Sequence, residues 1–190
     1  EVGVLATGTS APTPTTIWKS SGNAYSWRNS DGVNFRRRIT VDDYVITIND
    51  EIKNNTNRDI AIAPYARITR GAGAKKPAGV YTGAVVHVNS DTEHTDWYKL
   101  DRKSYAYSTT NGFAGFADQY SETVAQIDAP DQTIRTKKIG TDKYQSDIAA
   151  AAISIAPAQS KTITTKIFAG PRDQTVLNAA AAAIAGIDHT

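Results

Sequence analysis

The sequence predicts an all-β domain, an antiparallel β-sandwich closed by one C-terminal helix. Three observations carry this reading. In residues 44–53, Tyr44, Ile46, Ile48 and Ile52 share one side, while Thr47, Asn49, Glu51 and Lys53 take the other. Period two with β-branched side chains is the pattern of a half-buried strand. The other apolar segments are short and broken by Gly, Asp or Pro, which fits a sandwich better than alternating strand–helix units. Only one segment, about 173–185, reads as helix.

Taken in order, residues 1–17 are expected to be an extended, flexible lead-in, because Pro12 and Pro14 among threonines disfavour helix and offer little to bury. Residues 18–190 then form a single sandwich domain. The first clear strand follows the turn pair Asp31-Gly32. Asn54-Asn55-Thr56-Asn57 reads as a polar turn, so strands 44–53 and 60–68 are expected to pair as a hairpin. Pro64 lacks a ladder N–H and belongs at an edge or bulge. Gly71 to Gly79 reads as a surface loop. Further strands are expected at 80–88, 95–100, 103–108, 113–117, 120–127, 132–139, 142–155 and 160–169, with the alanine run 149–152 inside a strand and residues 89–97 largely an exposed loop. After Gly170-Pro171, Asp173 is placed to cap a helix running to Ala185, and Gly186 to end it. Val176, Leu177, Ala180 and Ile184 give it a narrow apolar stripe for docking on a sheet.

Composition bounds the function. The chain has 190 residues, 21 basic against 19 acidic side chains, and a formal net charge of +2, too small a field to argue for nucleic acid. No cysteine is present, so disulfides and thiolate metal sites are excluded. Methionine is absent even at position 1, which suggests a mature, excised or engineered sequence. No apolar run approaches the roughly 18 residues of a membrane span, and no signal peptide opens the chain.

Candidate chemistry is sparse. His87 and His94 lie near Glu93 and Asp96, the residue types a sugar acid–base catalyst or a metal site would need, but the polarity of 89–97 favours an exposed loop. His189 falls in a terminal tail. Trp97 with Asp96 and Tyr98 is the one local candidate for a sugar platform, Trp18 and Trp27 falling near the lead-in. Arg36 and Arg38 point to the opposite side from Arg37, so the triplet makes no single patch, though an anionic membrane nearby would orient it weakly. Gly71-Ala72-Gly73-Ala74-Lys75-Lys76 lacks the spacing of a phosphate loop, and no G-x-S-x-G elbow occurs. No catalytic residue, metal or cofactor is therefore expected. Phe113, Phe116 and Tyr120, in the block Gly112–Tyr120, read either as core packing under the terminal helix or as an apolar groove.

Five segments occur in a telling order. These are Ile39-Thr40-Val41-Asp42-Asp43-Tyr44 with Lys53-Asn54-Asn55; Tyr65-Ala66-Arg67-Ile68-Thr69-Arg70; Gly112–Tyr120; Asp142 to Asp147 with Ile155-Ala156-Pro157; and Phe168-Ala169-Gly170-Pro171-Arg172 with Val176-Leu177. Together, from Trp18 to Ile187, they resemble the large periplasmic domain of YidC-type bacterial membrane protein insertases. That resemblance implies a supersandwich similar to galactose mutarotases, carried between two membrane spans of an inner-membrane protein, with this chain lacking the domain's first strands. It implies a non-catalytic periplasmic role, assisting membrane protein insertion and folding through contacts with Sec translocon accessory subunits or nascent membrane proteins. The insertion chemistry itself would lie among membrane spans outside this chain. Phe113, Phe116, Tyr120, Val176, Leu177 and Ile184 are then the candidate partner or helix-docking surface. The competing expectations are a carbohydrate-binding or mutarotase-like domain and an inert spacer.

Overall fold

A computed structural model describes residues 1–71 and 81–190. The chain runs through β1 (Val2–Thr7), β2 (Lys19–Ser21), β3 (Ala24–Arg28), β4 (Asn34–Asp42), β5 (Val45–Lys53), β6 (Ile60–Gly71), β7 (Gly83–Val88) and β8 (Asp91–Asp96). A short helical turn, α1 (Trp97–Leu100), leads into β9 (Tyr105–Thr109), β10 (Gly112–Ala117), β11 (Ser121–Asp128), β12 (Gln132–Gly140), β13 (Lys143–Ala150), β14 (Ile153–Ile155) and β15 (Ser160–Pro171). Helix α2 (Gln174–Ala180) and a 3₁₀ turn (Ile187–His189) finish it.

Among the described residues the strands form two antiparallel sheets. The nine-stranded sheet has the order β2-β3-β4-β5-β15-β11-β10-β7-β8, and the six-stranded sheet runs β1-β6-β13-β12-β9 with β14 beside β6. Their facing sides bury one core, in which Ile60, Ile62, Ile134 and Ile148 meet Phe35, Ile52, Ala114, Ile127 and Ile163. A second core lies on the far side of the larger sheet, where Leu177, Ala180, Ile184 and Ile187 cover Val45, Val85, Phe113, Val124 and Phe168. The centre of the larger sheet is thus covered twice, and every residue of β10 is buried.

Several expectations change. Residues 1–17 are no loose lead-in: β1 pairs with β6 from Val2↔Ala66 to Thr7↔Ala61. The buried Asn29 amide then ties the following loop down, donating to the Thr9 hydroxyl at 2.6 Å and the Ser10 carbonyl at 2.9 Å. The β2–β3 hairpin was likewise unread, its residues being too polar to show a buried face.

Strands β5 and β6 do not pair as a hairpin; β5 lies between β4 and β15, while β6 crosses to the other sheet. The turn between them arches over the end of the sandwich, and the fully buried Asn54 holds it by donating to the Arg58 and Ile155 carbonyls, both at 2.8 Å. Strand–turn–strand patterning is the same for an arch and a hairpin, so only long-range pairing distinguishes them. Pro64 does sit at an irregularity: it pairs with Val4 on one side, and on the other falls in the gap between the stretches of β6 paired with β13 and with β14.

The expected strand 95–100 is instead the end of β8 and then α1, with Asp96 capping the turn by accepting from the Lys99 N–H at 2.9 Å. The region read as an exposed loop, 89–97, mostly forms edge strand β8. Ala151 and Ala152 interrupt the expected strand between β13 and β14. The loop expected over Gly71 to Gly79 and the start of strand 80–88 lie outside the described residues.

Helix α2 is shorter than the expected 173–185. Asp173 caps it, accepting from the Thr175 N–H at 2.9 Å, but it ends at Ala180. Bare alanine holds a helix by propensity alone, which is marginal at this length. The chain turns instead to bury Ile184 and Ile187, and Lys166 donates to the Ala183 carbonyl at 2.7 Å.

Close approach of neighbouring strand backbones sets Gly115. A Cβ at Gly115 in β10 would lie 1.9 Å from the Thr123 carbonyl oxygen of β11, a backbone atom with no room to yield. Gly115→Val is expected to cost about 2–3 kcal/mol, lowering the melting temperature by roughly 5–10 °C in a thermal circular-dichroism scan. Gly140→Ala, where a Cβ meets only Lys143 Cβ at 3.7 Å, serves as the control with little change.

Candidate functional site

The helix-covered face of the nine-stranded sheet carries four of the six candidate surface residues: Phe113, Val176, Leu177 and Ile184. Alternation on β10 sends Phe113 and Ala117 toward this face, and Ala114 and Phe116 toward the other sheet. Phe113, fully buried, stacks on the His87 ring with centroids 5.0 Å apart. Leu177 and Ile184 are also buried here, while Val176 is half-buried at the margin. Phe116 instead packs against Trp97, at 5.4 Å, in a separate cluster with Leu100 and Tyr144. Tyr120, 74% exposed, stands in the β10–β11 turn and belongs to neither core. The six residues therefore do not form one surface: Phe113, Leu177 and Ile184 make the helix clamp, Phe116 is interior packing, and only Tyr120 and Val176 reach solvent.

At one end of this face lies Glu122 on β11, a residue the sequence reading passed over. It is fully buried, and neither carboxylate oxygen has a hydrogen-bond partner among the described residues. Its nearest cation, Arg172, holds Nε 4.0 Å from Oε2 and extends over the Tyr81 ring at 5.8 Å. The Thr190 hydroxyl donates to the Ile187 carbonyl at 2.8 Å. Burial pushes the Glu122 carboxyl up to about 7, against the opposing influence of the Thr190 hydroxyl and Arg172. Tyr81 is also raised by burial, its hydroxyl donating to the Ala84 carbonyl. The His94 ring meets Tyr81 edge-on at 4.7 Å. In the sequence Glu122 reads as an ordinary polar strand position, because its burial depends on a covering segment more than fifty residues away.

The histidines do not assemble with the carboxylates proposed for them. His87 shares its Nδ1 with the Thr92 hydroxyl at 2.9 Å, and burial followed by the charge of His189 lowers its pKa. His94 is lowered by burial and then by Arg172. Glu93 accepts from the Tyr107 hydroxyl at 3.2 Å, on the other face of β8, and Asp96 is engaged in capping α1. Among the described residues no group of three His, Asp or Glu side chains is arranged to hold a metal. The proposed Trp97 platform is half-buried, 4.5 Å from Tyr144, and Tyr98 points away from it into solvent beneath Arg102. The phosphate-loop segment lies mostly outside the described residues.

The fold defines the class: an antiparallel supersandwich of the galactose mutarotase type. Similar solved structures include the α-galactosidase from Lactobacillus brevis, with TM-score 0.56, 7% identity and coverage of 97% of this chain and 28% of that one. A galactose mutarotase related enzyme from Lactobacillus acidophilus superposes with TM-score 0.54 at 7% identity, covering 80% and 70%. At such identities the likeness is one of fold alone.

The chain belongs to the YidC periplasmic domain family, whose profile matches residues 1–190. It is 31% identical to the membrane protein insertase YidC of Bradyrhizobium diazoefficiens over 92% of its own length, and 31% identical to that of Rhizobium meliloti over 93%. It spans about a third of the length of these relatives, 31% and 33%. It is a periplasmic domain of an inner-membrane protein, and among the described residues no helix is long and apolar enough to cross a membrane.

Two outcomes follow from this site. Leu177→Asp, at a position 2% exposed, buries an unpaired carboxylate and is expected to lower the melting temperature by several degrees, as a penalty of several kcal/mol requires; Val176→Asp should cost much less. Glu122 has a raised folded pKa, so the native state holds its proton longer than the unfolded chain. Stability from this group is full below about pH 4.5 and is lost as pH rises through about 7, by on the order of 3 kcal/mol. The lowered His87 and His94 act oppositely, losing stability as pH falls below their ordinary range. Denaturant melts of wild type and Glu122→Gln are therefore compared between pH 5 and 8, where the variant's relative stability should climb toward pH 8.

Proposed function

We propose that this chain is a non-catalytic accessory domain of a membrane protein insertase, assisting insertion and folding through reversible contacts with partners outside the membrane. Membership of the YidC periplasmic domain family over the whole chain carries this reading. The site chemistry agrees with it. Phe113 and Phe116 are spent on packing, His94 and Glu93 face different sides of β8, and Asp96 is engaged in capping α1, so these groups are not brought together as acid–base catalysis would need.

Contact surfaces remain open beside the helix clamp. A groove of about 400 Å³ separates α2 from the β4–β5 turn, lined by Tyr44, Val45, Phe168, Val176, Ala179 and Ala183. Tyr120 stands exposed nearby in the chain's β10–β11 turn. Apolar side chains of emerging membrane proteins, or of Sec translocon accessory subunits, fit a groove of this character. The clamp lets α2 act as a rigid coupling rather than a free tail.

A second reading rests on the fold and on one aromatic row. Trp18, Trp27 and Phe35 follow one another at 6.5 and 5.4 Å, and Trp18 and Phe35 line a cleft of about 510 Å³ together with Tyr65 and the Arg37–Asp50 pair. Aromatic rings beside paired polar groups are what a sugar-binding cleft requires.

Photo-crosslinking separates the two readings. A benzophenone side chain placed at Tyr44, Tyr120 or Val176 of the intact insertase is expected to capture nascent membrane proteins or translocon subunits. Glycan titration, followed by tryptophan fluorescence, is expected to show no saturation. Saturable quenching without any crosslinked partner would reverse the assignment.

A further inference from the structure

The outer face of β2–β5, beyond the reach of the helix, carries a cluster of five cations with a single carboxylate, Glu51, in the same rows. Antiparallel register sets Lys19, Ser26, Arg36 and Glu51 in one row across four strands. Arg28, Asn34 and Lys53 form the adjoining row, and Arg38 stands one step along β4, opposite Ala24 and Asn49. Alternation turns Arg37 inward instead, where it forms a bidentate pair with Asp50 at 2.7 and 2.8 Å.

Lys19, Arg28, Arg36, Arg38 and Lys53 are all exposed, and among the described residues none makes a salt bridge. Glu51 is the single carboxylate in these rows. The next along β4, Asp42, lies six residues beyond Arg36, about 20 Å in an extended strand and outside the screening length at physiological salt. A groove of about 500 Å³ opens between Lys19, Arg28, Arg36 and Lys53, with Ser26 and Asn34 as added hydrogen-bond donors. On its rim is Ile17, 89% exposed.

We propose that this face docks on the anionic headgroup layer of the membrane. Unpaired cations on adjacent strands repel one another, and an anionic surface relieves that repulsion for all of them together. The cations are spread over four adjacent strands, roughly 15 Å, a spread that several lipid phosphates can meet together. Ile17 stands beside the charges, where an apolar side chain can enter the interface. The family places the domain in an inner-membrane protein, so such a surface is its neighbour. The inference needs that location only and is independent of the accessory role, since lipid binding and partner capture are read in separate experiments.

Vesicle flotation tests it with the 190-residue chain. The protein is expected to float with equimolar phosphatidylcholine–phosphatidylglycerol vesicles at low salt, to be released at high salt, and to ignore phosphatidylcholine alone. Each cation beside an anionic surface is worth roughly fivefold in partitioning, so Arg36→Glu/Arg38→Glu should lose twentyfold or more. Arg28→Gln/Lys53→Gln should lose about twentyfold, and Ile17→Asp should also weaken binding. All these side chains are exposed, so melting curves should stay close to wild type, with at most a small drop for Arg36→Glu/Arg38→Glu, where a second carboxylate would face Glu51. Lys103→Glu/Lys143→Glu, with the same charge change away from this face, should bind nearly normally. The proposal is overturned if wild type does not bind the anionic vesicles or if both patch variants bind as well as wild type. The latter would point to an acidic protein partner or none. Equal loss in the control would also overturn it, by showing that net charge rather than this face is responsible.

Discussion

The middle of the nine-stranded sheet has no wet side, and much of the molecule follows from that. Strands β10, β11 and β15 are pressed by the smaller sheet on one face and by the α2 segment on the other. Both faces must therefore be apolar or very small, which is why β10 reads Gly-Phe-Ala-Gly-Phe-Ala without polar alternation. The helical segment is short and alanine-rich, and it survives because Leu177, Ile184 and Ile187 each find a filled pocket. Helical propensity by itself would not hold it.

The same double coverage creates the electrostatic cost at Glu122. A carboxylate on a strand covered on both sides has no water, and Arg172 approaches only to 4.0 Å. Arg37 and Asp50 solve the equivalent problem differently, with two short charge-assisted hydrogen bonds on the inner face of the sheet. One buried charge is thus satisfied and the other is tolerated. Further along the sheet, where the helix no longer reaches, the outer face is free to be polar, and its charges are almost all of one sign.

Much of the fold was legible because period two survives wherever one face is wet. Strand β4 and the strands from β9 to β15 all lie close to where patterning puts them. Misreadings came where local pattern and long-range pairing part company. The Asn54 turn is an arch between sheets, β1 is an edge strand held by β6, and Ala181–Ala185 leave the helix for a better burial of Ile184. Of the stripe Val176, Leu177, Ala180 and Ile184, the last three are buried against the sheet and Val176 stays at the margin. The separation of Phe113 from Phe116 was not legible, since adjacent-face assignment depends on which side each layer comes to lie.

The amino-acid pattern alone determined that this is a β protein with a capped C-terminal helix, without thiol chemistry or a membrane-spanning stretch, because those properties depend on residue type and near neighbours. Three-dimensional packing decided which strands share a sheet, which buried acid goes unpaired, and which five cations gather on one face. Those outcomes join residues dozens of positions apart, through cross-strand register that no short window of sequence contains.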